Sequence, residues 1–189
     1  MKKNVTITLY MSEIVYDIQN KTYLKGRSKT EIDAAKRAHM QANDDDENLN
    51  QLLRSIGNAY GSLKSELSEY VVEGTDANAT GTVTLSGNNI LQPDEDIIVV
   101  LAMPSNFNEA AVQVISTGLH KYIVNTATAD WYDLTSPDDA KTYLAQATAN
   151  MQEVHNGIFK RVRPERGETP TNTENSNEGQ QNQDSNPDI

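Results

Sequence analysis

The most constraining stretch of this chain is a stripe of apolar residues, Leu49, Leu52, Ile56, Tyr60, Leu63, Leu67 and Tyr70, recurring at steps of three and four. Residues three and four apart share one face of a helix, so the stripe predicts a helix of about six turns. Leu53 and Val71 widen the stripe, and its heptad-like seam packs lengthwise against other helices. Gly57 and Gly61 lie inside it and cost about 1 kcal/mol each relative to alanine. Their four-residue spacing puts both on one side, which leaves room for another backbone to approach closely. The acidic run Asp44–Glu47 precedes the stripe. A calcium loop needs ligands at alternate positions, a glycine turn and a distal glutamate. This run has neither the glycine nor the distal acid, and reads as a solvated helix start whose acids face the positive end of the dipole.

The flanking segments predict a mainly α fold: a helical bundle with an inserted β-hairpin or small β-ribbon, in one domain over residues 1–163. Ile7, Met11, Ile14 and Ile18 predict a first helix over about 8–23, stopped near Gly26, although Val5–Leu9 alternates and allows a strand start. Ser28-Lys29-Thr30-Glu31 has the form of a capping box and predicts a second helix through Ile32, Ala35, Ala38 and Ala42. After Gly74 the period changes from helical to alternating. Thr80–Ser86 predicts an exposed strand and Ile97–Met103 a better buried one, giving a β insertion at about 79–103. Asn106–Glu109 then predicts the cap of a helix running to about Trp131. Ser136-Pro137-Asp138-Asp139 predicts a further start, with serine at the cap and proline at the first helical position. Residues 164–189 carry Ile189 as their single aliphatic or aromatic side chain and predict a disordered acidic tail, because such a composition cannot bury a core.

Charge and composition narrow the function classes. The net charge is −11, of which the tail supplies six acids against Arg166. An acidic chain is a poor general binder of nucleic acid, which needs cations to displace phosphate counterions, and a poor match for an anionic membrane surface. The longest apolar run, Ile97–Met103, is far shorter than a membrane span. The start Met1-Lys2-Lys3 is basic, but Thr6 and Thr8 interrupt the apolar residues from Val5 to Met11, and no small-residue cleavage site appears. With no cysteine there is no disulfide framework and no thiolate metal site. His39, His120 and His155 share no ligand spacing, so no metal and no cofactor are expected. No serine sits in a nucleophile elbow, and no glycine-rich dinucleotide or phosphate loop is present. The chain therefore reads as non-catalytic, with an enzyme built from dispersed acids as the competing class.

The candidate binding residues are those of a partner surface. Lys160, Arg161, Arg163 and Arg166 form the dense basic cluster, serving either to complement the last helix's dipole or to dock an acidic partner surface or a nucleic-acid backbone. Trp131 and Tyr132 form an aromatic corner that either packs on the bundle or anchors an interface. Val83 and Leu85 are the apolar positions of the exposed strand.

The layout, with Ile14-Val15-Tyr16-Asp17-Ile18-Gln19-Asn20-Lys21-Thr22-Tyr23-Leu24 early and Asp130-Trp131-Tyr132-Asp133-Leu134 before the last helix, resembles the head–tail connector or neck ring proteins of tailed bacteriophages. The wording is similar to structural proteins of crAss-like phages. The resemblance covers about residues 5–163 and implies a virion protein made in the host cytoplasm. It implies a homo-oligomeric ring of about twelve copies, stacked between the capsid portal protein and other neck or tail proteins, with no sequence-specific nucleic acid and no membrane. The alternative is a phage or host adaptor that binds a single protein partner through its ribbon or tail.

Overall fold

A computed structural model describes residues 2–31, 33–42, 45–72, 91–133 and 135–163. The chain opens with a strand β1 (Lys2–Leu9), followed by helices α1 (Met11–Ser28), α2 (Ala34–Met40) and α3 (Asp46–Glu66). A second strand β2 (Ile97–Pro104) leads through a short 3-10 turn at Glu109–Ala111 into α4 (Val112–Tyr132) and α5 (Pro137–Ile158). The protein is mainly helical with one small antiparallel β element, as the sequence predicts. The expected strand over Thr80–Ser86, with Val83 and Leu85, and the acidic tail 164–189 lie outside the described residues.

β2 forms where its alternation predicts, but its partner is β1, in an unbroken antiparallel register from Lys2↔Pro104 to Leu9↔Ile97. The expected first helix over 8–23 therefore splits: residues to Leu9 are strand, and α1 begins at Met11 and passes Gly26 to end at Ser28. Val5, Ile7 and Leu9 alternate with the period of a strand, and pairing with β2 satisfies backbone groups that a first helical turn leaves open. Met11 N–H donates to Asp96 Oδ1 at 3.2 Å, tying the start of α1 to the loop before β2. The predicted capping box does not form. Ser28 closes α1 by donating to Lys25 O at 2.7 Å, and α2 starts at Ala34 with no side-chain cap at Asp33.

α3 buries Leu52, Leu53, Ile56 and Leu63 of the stripe, with Ala59 beside them, and Asp45 caps it by accepting from Asn48 N–H at 2.8 Å. It ends sooner than the stripe does. Leu67 is its C-cap, and the chain turns so that Val71 pairs with Leu101 across the second edge of β2. The stripe continues past Glu66 because Leu67 is still buried, not because the helix goes on.

α4 is the centre of the molecule, packing on α5, α3, α1 and β1. It is apolar on most faces, with Ile115, Leu119, Ile123, Val124 and Ala127 all buried, as a helix surrounded by other elements must be. The close helix approach falls here rather than at Gly61, which has nothing within 4 Å of where a side chain would start. A Cβ at Gly118 would meet Val154 Cγ2 at 2.6 Å, and one at Gly157 would meet Ile115 Cγ1 at 2.7 Å. Each helix thus lends a glycine to receive the other's branched side chain.

Candidate interaction site

The aromatic corner is a structural joint. Tyr132 is fully buried, stacks on Tyr143 with ring centroids 5.7 Å apart, and donates from its hydroxyl to Thr22 O at 3.4 Å. Trp131 is half-buried and donates from Nε1 to Met40 O at 3.1 Å. Burial pushes the Tyr132 phenol well above its ordinary pKa. As an exposed partner anchor Tyr132 is therefore corrected: the hydrogen-bonded ring fills the junction of α1, α4 and α5.

Beneath the corner lies Asp139, which is buried. It meets Lys25 Nζ at 2.9 Å, Lys29 Nζ and the Ser136 hydroxyl, the last donating at 2.6 Å. Ser136 makes no side-chain cap to α5; its hydroxyl donates to this carboxylate and accepts from Lys29 Nζ at 3.0 Å. Burial alone would raise the Asp139 pKa. The hydrogen bonds from Lys29, Ser136 and Lys25 outweigh it and hold the carboxyl at about 2.

Of the basic cluster, Lys160, Arg161 and Arg163 are all exposed. Arg161 Nη1 donates to Ile158 O at 2.6 Å, capping the end of α5, which is the dipole role the sequence allows. The same segment is pinned by backbone: Asn108 N–H donates to Lys160 O at 3.2 Å and Val162 N–H to Asn106 O at 2.9 Å. A shallow hollow of about 500 Å³ lies beside it, lined by Ala110, Val114, Asn156, Gly157 and Lys160 among others. A second hollow, about 420 Å³, lies between α1, α4 and α5. There His120 Nε2 is 2.9 Å from Asp17 Oδ2, and Lys21 Nζ donates to Asn125 Oδ1 at 2.5 Å. Burial lowers the Lys21 pKa in spite of Asp17. These side chains satisfy one another across helices, and the group serves as a clamp between α1 and α4.

The sheet offers the more distinctive surface. Backbone groups of successive residues in an antiparallel strand point alternately to its two sides. Val100 O accepts from Val72 N–H at 2.8 Å, Ala102 N–H donates to Tyr70 O at 2.7 Å, and Ile98 O accepts from the Tyr60 hydroxyl at 3.4 Å. The even residues of β2 therefore face α3 and the 70–72 segment, and the odd ones face β1. With the observed register, β1 spends the backbone of Lys3, Val5, Ile7 and Leu9 on β2. The N–H and C=O groups of Asn4, Thr6 and Thr8 point the other way, and among the described residues none of these has a backbone partner. All three residues are exposed.

This edge lacks most of the usual defences. Natural sheet edges carry bulges, prolines or inward charges that prevent pairing with another chain. The β1–β2 register has no slip over its eight pairs, and β1 contains no proline; Lys2 and Lys3, at one end, are its only charges. Sequence pattern alone points to Thr80–Ser86 as the ribbon's outer strand and so misses this site. The Val5–Leu9 alternation is its one available signal.

Among the described residues no group of three or more histidines and carboxylates gathers to hold a metal, and no helix is long and apolar enough to cross a membrane. No family model, curated protein or solved structure matches this chain.

Proposed function

We propose that the chain is a structural, non-catalytic ring subunit of a phage neck, joining the capsid portal to the tail and surrounding the DNA conduit. The observation that carries this reading is the regular outer edge of β1, unpaired among the described residues, a surface suited to assembly rather than to chemistry. The phage context itself comes from the sequence resemblance. The packing of α4 on both α5 and β1 supports it, since a subunit that transmits load between two rings needs its edge held on a packed body. The acidic balance of the chain suits a conduit through which DNA slides, because phosphate contacts would retard it.

The test has two parts. Purified virions are analysed by quantitative mass spectrometry for this chain relative to the portal protein, and the full chain is examined by native mass spectrometry with and without purified portal. A fixed stoichiometry near that of the portal, together with closed oligomers or a portal complex, is expected. A stable monomer absent from virions would overturn the proposal and leave the single-partner adaptor.

A further inference from the structure

We propose that α1 pairs with α1 of a second copy of this chain, antiparallel about a two-fold axis that passes through Asn20. This goes beyond the ring reading and uses a different surface.

α1 buries Met11, Ile14, Ile18, Thr22 and Gly26 on one side. Its outward side carries large apolar groups too: Tyr16 is 62% exposed, Leu24 55% and Tyr23 45%. Glu13, Asn20 and Arg27 are exposed around them. At about 100° per residue, Glu13, Tyr16, Leu24 and Arg27 all lie within about 40° of the direction of Asn20, so the five form one stripe. A helix face turned to solvent is normally polar, and tyrosines are favoured where a surface meets a partner.

The stripe is complementary to itself when reversed. In an antiparallel pair with its axis at Asn20, each residue faces the one equally far from Asn20 on the other side. Asn20 then meets Asn20, an amide that both donates and accepts. Tyr16 meets Leu24 and Glu13 meets Arg27, each twice over. Neither Glu13 nor Arg27 has an ion-pair partner among the described residues. Arg27 is held against Tyr23, its guanidinium 5.6 Å from the ring centroid and Nη1 donating to the hydroxyl at 3.3 Å. Tyr23 in turn faces Asp17 of the other copy, beside which lies a hollow of about 370 Å³ lined by Tyr10, Glu13, Thr117 and His120 among others. A parallel pair would set like charge against like, which selects against it. A single polar residue at the centre of an apolar seam fixes register. Such a like-on-like contact needs a two-fold axis. A ring polar from portal to tail has none, so the dimer is the form of the free chain before assembly.

A contact confined to one helix pair lies at the low end of specific interfaces, so sedimentation velocity on the full chain should show monomer and dimer exchanging between about 1 and 500 μM. Glu13→Arg and Arg27→Glu should each weaken the dimer about tenfold, because two attractive pairs become repulsive. An equimolar mixture of these two proteins should restore it, since every arginine of one then faces a glutamate of the other. Leu24→Glu, at an exposed position, should remove the dimer from this range with helical circular dichroism unchanged. The chain has no cysteine of its own, so Asn20→Cys should cross-link to itself with a short bismaleimide, whereas Gln51→Cys on the exposed side of α3 should not.

A parent protein that stays monomeric across the range would overturn the proposal. So would a dimer that Leu24→Glu leaves in place, or charge variants whose mixture associates no better than either alone. Dimers in a protein missing from virions would sustain this proposal and sink the neck reading. A strict monomer that enters virions would do the reverse.

Discussion

Replacing Asp139 with asparagine should lower stability at neutral pH by an amount that disappears in acid. The carboxyl has a pKa of about 2 in the folded chain against an ordinary 3.8. At about 1.4 kcal/mol per unit, this difference is worth about 2 kcal/mol. Because the folded value is the lower one, the unfolded chain binds more protons between these limits. The contribution is complete above about pH 5, is roughly half lost at pH 3, and is nearly gone near pH 2. The variant keeps a side chain of similar size but cannot neutralise Lys25 and Lys29. It should therefore unfold about 4–8 °C lower than the parent at pH 7. Urea titrations of both proteins at pH 7, 5, 4 and 3 isolate this group, since every other carboxylate titrates in both. The gap should narrow with each step below pH 5. A gap of constant size from pH 7 to pH 3, or one below about 0.5 kcal/mol at pH 7, would refute the assignment of this carboxylate as the ionised staple between α1 and α5.

Two glycine-to-alanine changes should differ in cost although both sit in helices. Gly61→Ala, in open space, should stabilise by up to about 1 kcal/mol. Gly118→Ala must displace Val154, and overpacking of about 1–3 kcal/mol offsets or exceeds the same gain; thermal melts compare the two directly. Trp131→Phe should lose about 1 kcal/mol through the missing bond to Met40 O, measured by chemical denaturation followed by circular dichroism. Asn108→Ala removes the acceptor for Ala110 N–H at the turn before α4 and should cost about 0.5–2 kcal/mol, read in the same way.

Much of the fold was legible from local pattern. Leu52, Ile56 and Leu63 repeat with the helical period, so α3 could be read from one segment, as could α4, α5 and β2. Pro137 and the acids after it marked the start of α5, because helix starts are decided by neighbours within one turn. Tertiary structure decided what depends on distant partners. Val5–Leu9 suits a strand or the start of a helix equally until β2 lies beside it. The stripe from Leu49 to Tyr70 shows no break at Glu66, because the turn there is set by Val71 joining Leu101. Ser136 has the chemistry of a helix cap, yet Asp139, held by two lysines at the end of α1, takes its hydroxyl. Gly118 and Gly157 carry no sign in sequence that they face Val154 and Ile115. The outer edge of β1, unpaired among the described residues, belongs to this second group. Which backbone groups remain unpaired is a property of the sheet's order and register, and these arise only when segments far apart in the chain meet.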